Sequence, residues 1–284
     1  MKRQPPRTAK KTASLKWSGC SDTGRVRKNN EDSFLGLQFD AREIFRLGKF
    51  GEASLEKNDF TFAVCDGMGG AKAGEYASQI AVEKITKLLP RAFQQSAAGM
   101  SSGFDDVLTE LYAEVHHALA YLGSSYDECY GMETTMSLCW FTPGWMYFGH
   151  IGDSRIYYLP ARENTIKQLS QDDTHVGWLF RSGQINEREA RTHPRRNALN
   201  QALGAGHQFI DPHVGAVGHQ PCDRFLFCSD GVTDGLWDRQ LEELIRTPPP
   251  ERASQNVAQR LVEESVLNSG RDNTTAVVIE FPLP

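Results

Sequence analysis

The chain has 284 residues, 39% of them hydrophobic, and a formal net charge of −5. That is enough for one large globular domain or two small ones, with a sizeable core. No stretch approaches the roughly 18 uninterrupted apolar residues of a membrane helix, and no apolar signal segment follows the basic start MKRQPPRTAKK, so the chain reads as cytoplasmic.

Charge is unevenly divided. Residues 1–16 hold six Lys/Arg and no acid, which leaves 25 basic against 36 acidic residues, or −11, in the rest. An acidic body argues against a nucleic-acid surface. The leader 1–16, with Pro5 and Pro6, reads as disordered. Six cysteines form no CxxC pair, and several lie in apolar runs such as FAVCDG, which points to reduced core residues rather than a disulfide frame or zinc site.

In chain order, residues 38–58 read as a loop or extended hairpin, followed by a strand over Asp59 to Cys65. Ala77, Ile80, Ala81, Ile85 and Leu88 then keep the helical period, in a helix beginning near Gly74. A second helix runs from Phe104 through Leu108, Leu111, Val115, Leu119 and Leu122. Strands follow over Thr135 to Phe141, Trp145 to Ile151 and Arg155 to Leu159, the last two joined by Gly152-Asp153-Ser154 in what reads as a hairpin. Residues 177–200 form a polar, partly helical excursion. After a strand over Arg224 to Cys228, Pro250 is expected to open a helix carrying Ala253, Val257, Leu261 and Val262, closed by Asn268-Ser269-Gly270. The last strand covers Thr275 to Phe281. Blocks of strands and blocks of helices, without βαβ alternation, indicate an α+β fold with antiparallel sheets.

Acidic residues recur at strand ends beside glycine or asparagine: Glu31-Asp32, Asp66-Gly67, Asp153, Asp230-Gly231 and Asp272-Asn273. One Asp-Gly pair means only a turn. Apolar strands running straight into aspartate, in FAVCDG and FLFCSDG, are different, because poorly hydrated carboxylates repel one another and call for a cation. An all-oxygen set favours Mg²⁺ or Mn²⁺ over zinc. None of the eight histidines forms HxxxH or HExxH; His175, beside Asp172 and Asp173, is the one expected nearest a site. Gly67, Gly69 and Gly70 let backbone approach an ion closely, while nucleotide-binding glycine motifs are missing. Arg27, four residues before Glu31, offers a guanidinium fork for a phosphoryl group. Two ions about 3.5 to 4 Å apart would activate a bridging water for in-line attack on phosphorus, which needs neither a cysteine loop nor a serine elbow.

The ordered segments SDTGRVRKNNEDSF, FAVCDGMGG, GMETTMSL, HIGDSRIYY, LSQDDTHV, RRNALNQALG, FLFCSDGVTDGLWD and SGRDNTTAVVI, from about Ser18 to Phe281, resemble the bacterial-like form of the metal-dependent protein phosphatases of type 2C (PPM). The resemblance implies a four-layer sandwich of two central antiparallel sheets flanked by helices, one catalytic domain over 17–284, and a flap at about 172–200 beside the cleft. It implies that Asp66 bridges two Mn²⁺ or Mg²⁺ ions and Gly67 ligates through its carbonyl. Asp230 and Asp272 would hold one ion, with Glu31 and Asp32 supporting the other. Asp153 and Asp234 match a third, weaker site, and Arg27 matches the phosphate-binding arginine. Met68 stands where some relatives carry a histidine proposed as general acid; Glu133 and Asp173 are further departures, at no expected ligand. The implied activity is hydrolysis of phosphoserine and phosphothreonine on proteins, with substrates that are targets of a serine/threonine kinase. A monomer is expected. Two alternatives stand beside it: a pseudophosphatase that binds phosphoproteins without turnover, and a carboxylate-pair hydrolase such as a glycosidase.

Overall fold

The computed structural model describes residues 14–283, except 41, 70–72, 98–102, 205 and 207–208. The first strands are β1 (Ser14–Asp22), β2 (Asp32–Phe39), β3 (Ile44–Arg46), β4 (Phe50–Ser54) and β5 (Asp59–Met68), followed by helices α1 (Ala73–Ala97) and α2 (Phe104–Ser125). Next come β6 (Glu133–Thr134), β7 (Met136–Thr142), β8 (Trp145–Ile151), β9 (Arg155–Leu159) and β10 (Lys167–Gln168), then α3 (His175–Arg181) and α4 (Glu187–Thr192). The chain finishes with β11 (Leu203–Gly204), β12 (His213–Gly218), β13 (Arg224–Cys228), α5 (Asp230–Gly235), α6 (Asp238–Arg246), α7 (Val257–Asn268) and β14 (Thr274–Glu280).

These strands make two antiparallel sheets, one ordered β10-β9-β13-β14-β1-β4 and the other β11-β6-β5-β7-β8-β12, with β2 on β5 and β3 on β2. Phe60, Phe62 and Val64 of β5 meet Phe225 and Phe227 of β13 and Val277 and Ile279 of β14 between the sheets. The alternate residues face helices: Ala63 and Cys65 pack toward α1 and α2, and Ala276 and Val278 toward α6 and α7. Strands buried on both faces are why these segments are apolar throughout. The expected α+β four-layer sandwich is present. All six cysteines are free thiols, and no helix among the described residues is long and apolar enough to cross a membrane.

Four expectations change. β8 and β9 are not a hairpin, because they belong to different sheets. The hairpin is β7 with β8, where Phe141 pairs with Met146 around the Gly144 turn, and Gly152-Asp153-Ser154 crosses between sheets. The segment 38–58 divides likewise: β3 pairs back on β2, whereas β4 crosses to the edge of the other sheet beside β1. Pro250 opens only a short 3₁₀ turn, Pro250–Arg252, and α7 starts after Asn256, whose side chain accepts from the Gln259 N–H at 2.8 Å. The leader ends earlier than residue 16, since Ser14 to Lys16 already pair with β4 and Lys16 with Glu280 of β14; residues 1–13 lie outside the described residues.

Candidate metal centre

Antiparallel neighbours bring the end of one strand beside the start of the next, and this collects the acids at one end of the sandwich. Asp32 opens β2 and faces Asp66 at the end of β5. Asp230 follows β13 and Asp272 precedes β14, its sheet partner. Asp153 lies in the crossover from β8 to β9.

Side chains and backbone fix these positions. Ser229 Oγ donates to Asp32 Oδ2 at 2.7 Å and accepts from the Thr275 N–H at 3.0 Å, tying an acid of one sheet to the other sheet. Asn273 holds the loops together: its Oδ1 accepts from the Glu31 N–H, and its Nδ2 donates to the carbonyls of Thr23 and Asn29. The Asp66 N–H donates to Thr135 Oγ1 at 3.0 Å, and its carbonyl accepts from Thr134 Oγ1 and the Thr135 N–H. Gly67 is packed so closely that a Cβ there would lie 1.9 Å from the Gly74 carbonyl oxygen. Only glycine fits this turn into α1.

The electrostatics are unfavourable for the acids as they stand. Burial, reinforced by Asp32, Asp230, Asp153 and Asp272, pushes the Asp66 carboxyl well above the usual carboxylate range. Burial and the neighbours Asp153, Asp234, Asp272 and Asp32 do the same to Asp230. Asp32 rises to about 6, chiefly by burial and against the Ser229 hydrogen bond; Asp153 rises to about 7 by burial and Asp172. Glu31 is raised by burial, offset by Arg27. Asp32 Oδ1 and Asp230 Oδ1 are buried with no hydrogen-bond partner. Buried orphan oxygens on mutually repelling carboxylates fit hard divalent cations, which would supply the missing contacts and the positive charge.

Two acids are engaged otherwise. Arg27 Nη2 donates to Asp272 Oδ2 at 2.6 Å, and Arg196 forks onto Asp234, with Nη2 at 2.8 Å from Oδ2. In this arrangement no three Asp, Glu, His or Cys side chains among the described residues form a ready-made ligand set. His175, expected near the site, is exposed and stacks on Trp178. Asp173 instead holds the crossover, accepting from the Gly152 N–H at 2.9 Å. Glu133 lies on β6 opposite Met68.

The sequence reading missed the arginines that join the α3–α4 segment to the sheets and α5. Arg155, half-buried and two residues after Asp153, forks onto Asp172 and donates to Tyr157 Oη, which donates to Asp238. Arg191 of α4 donates to the carbonyls of Thr233 and Leu236 and lies 4.1 Å over the Trp237 ring. Arg155 adjoins the acid in GDSR, which was a usable signal; Arg191 carries none. Arg155, Asp172, Arg191 and Asp238 line a cavity of about 130 Å³ that reaches Asp153 and Asp230.

The family model described as protein phosphatase 2C matches residues 49–264. The chain belongs to the protein phosphatase 2C family. Among its relatives, the serine/threonine protein phosphatase PstP of Mycobacterium tuberculosis is 32% identical over 275 residues, 96% of this chain and 46% of its own. The chain thus spans about half of that relative's length. The serine/threonine phosphatase stp of Listeria welshimeri is 30% identical over 262 residues, covering 92% of this chain and 93% of its own. Among solved structures, M. tuberculosis PstP/Ppp superposes with a TM-score of 0.71 at 31% identity, over 95% of this chain and 100% of that one. The PstP catalytic domain in complex with two manganese ions gives 0.69 at 29%, over 96% and 100%. The two-sheet architecture is therefore that of the 2C phosphatases.

Proposed function

We propose that the chain is a metal-dependent protein serine/threonine phosphatase, and the observation that carries this is the group of buried, mutually repelling carboxylates with orphaned oxygens beside Arg27. Two Mn²⁺ or Mg²⁺ ions fit the chemistry of these oxygen donors: Asp66 and the Gly67 carbonyl, Asp230, Asp272, Glu31 and Asp32 would hold them, and Asp153 and Asp234 would be available to a weaker third. When bound, such ions supply an activated water at neutral pH and Lewis-acid stabilisation of the phosphoryl oxygens. Arg27 is half exposed and its one ion pair among the described residues is with Asp272, so its fork can turn to a phosphoryl group and orient it bidentately. Ser229 keeps the Asp32 carboxylate aimed inward, and Asn273 keeps the Glu31 and Asp272 loops in register. Met68 follows Gly67, and its thioether has no proton to donate to a leaving alkoxide, so protonation falls to solvent.

The substrates in this reading are phosphorylated proteins, the targets of a serine/threonine kinase, and the protein acts in the cytoplasm as a signalling monomer. Hydrolysis of p-nitrophenyl phosphate and of phosphoserine and phosphothreonine peptides with Mn²⁺, Mg²⁺ or EDTA tests it. Turnover with either ion and none with EDTA is expected. Tight peptide binding without turnover under any condition would instead identify a pseudophosphatase, and turnover that persists in EDTA would point to carboxylate-pair hydrolysis.

A further inference from the structure

Asp173 departs from the family pattern and is no expected ligand, yet it makes contacts that the chemistry above does not use. Its Oδ2 accepts from the Gly152 N–H at 2.9 Å, and its own N–H donates to the Gly152 carbonyl at 2.8 Å. The same carbonyl lies 3.0 Å from His150 Nε2, and His150 Nδ1 lies 2.8 Å from Ser137 Oγ. A carbonyl only accepts, so Nε2 carries the proton and Nδ1 accepts from the serine; burial lowers the pKa of this imidazole, in keeping with the neutral form. Gly152 has a φ of +112°, and a Cβ there would lie 2.5 Å from Thr135 Cγ2, so only glycine fits against the threonine.

On the other side of Asp153, Ser154 Oγ is 2.9 Å from Thr135 Oγ1, the atom that accepts from the Asp66 N–H. Asp153 therefore sits between two neighbours whose positions are set, one by Asp173 and one by the threonine that also holds Asp66. Asp173 reaches further. Its carbonyl accepts from the Asn200 N–H at 2.6 Å, and Thr174 bridges Leu199 beside it. Both ends of the segment that carries α3 and α4 thus close on the residue that grips the Asp153 crossover.

We propose that Asp173 is a positioning residue for a divalent cation held by Asp153 and Asp234, and that it ties occupancy of that site to docking of the α3–α4 segment. The proposal rests on the metal-dependent phosphatase reading and deepens it with a residue that touches no ion. What matters is the place of one acceptor oxygen. Opposite the Gly152 N–H, it keeps the crossover in the path that sets Asp153 beside Asp230 and Asp234, all three of which line the cavity next to α3 and α4. Without that oxygen the buried Gly152 N–H loses its acceptor, which is costly enough to shift the crossover. Removing an outer hydrogen bond of this kind lowers metal affinity by roughly tenfold or more.

Calorimetric titration with Mn²⁺ alone separates tight sites from a weaker one and needs no turnover. Asp173→Asn keeps an acceptor oxygen and loses the charge, whereas Asp173→Glu keeps the charge and moves the oxygens one methylene away. Asp173→Asn is expected to bind at the weak site as wild type does, and Asp173→Glu to lose about tenfold there, with the tight sites unchanged in both. Trypsin cleavage at the arginines from Arg181 to Arg196 reads the coupling: Mn²⁺ at concentrations that fill the weak site should slow it in wild type and Asp173→Asn but not in Asp173→Glu. The reverse order, with Asp173→Glu like wild type and Asp173→Asn weakened, would mean that charge rather than placement matters, and it overturns the proposal. So does an equal loss at every site, or Mn²⁺ protection that survives in Asp173→Glu. Wild type that binds no Mn²⁺ tightly would defeat the phosphatase reading, and the proposal with it.

Discussion

Strand β5 opens with an aspartate, Asp59, and carries another, Asp66, near its far end, and the two behave differently. Asp59 has one clear partner, Trp140 Nε1 at 2.7 Å, and burial alone lifts its carboxyl to about 6. Asp66, seven residues on, is lifted by burial and by four other carboxylates. The first is an isolated acid serving one indole. The second belongs to a set whose charges oppose one another across two sheets, with orphaned oxygens on Asp32 and Asp230. A lone buried acid can be structural, but a repelling group of them persists only where a bound cation offsets the repulsion.

The largest effect expected from this contrast is on turnover. Asp66→Asn and Asp230→Asn should lower the rate on p-nitrophenyl phosphate by on the order of a thousandfold, whereas Asp59→Asn should leave it unchanged; a comparable loss in Asp59→Asn would erase the distinction between the two ends.

The next is a pH dependence of stability. The native Asp59 carboxyl keeps its proton to about pH 6, against an ordinary value of 3.8, so the folded state binds the proton more tightly and stability falls as pH rises through that window. Above about pH 6 the cost is complete, up to about 3 kcal/mol. In Asp59→Asn the new amide oxygen still accepts from Trp140 and the side chain carries no charge, so denaturant unfolding should show a gain of that order at pH 7.5 that closes toward pH 4. A gain independent of pH would mean that charge burial is not its cause.

A smaller effect is expected at Ser229. Ser229→Ala removes the donor that aims Asp32, and loss of such an outer hydrogen bond costs roughly tenfold or more in metal affinity. A Mn²⁺ titration that gives the same affinity for variant and wild type would show that Asp32 needs no such support.

The Asp66 end was readable because the apolar runs FAVCDG and FLFCSDG lead directly into charge, and no soluble strand does that without a reason. Asp153 was readable as an acid beside glycine, but its setting was not: a crossover between sheets and a hairpin turn share the pattern strand, Gly-Asp-Ser, strand, and only the pairing partners separate them. Asp234 came only from the family resemblance, for nothing in VTDGLW marks it out. The role of Arg191 was hidden for a related reason. Arg191 is one of several polar residues on a short helix, and its role depends on carbonyls 42 and 45 residues away. His175 was misplaced because nearness in sequence to Asp172 and Asp173 does not fix the direction of a side chain at a helix start.

The central claim is that the carboxylate cluster is held at a cost that a divalent ion relieves, and thermal unfolding of wild type and Asp230→Asn with EDTA or saturating Mn²⁺ tests it most directly. In EDTA the variant should melt at or above the wild-type temperature, because one repelling charge is gone. With Mn²⁺ at about 100 times its dissociation constant, wild type should gain about 2.7 kcal/mol, which is several degrees for a chain of this size, and the variant should gain far less. A variant that melts lower in EDTA, and gains as much from Mn²⁺ as wild type does, would contradict the account.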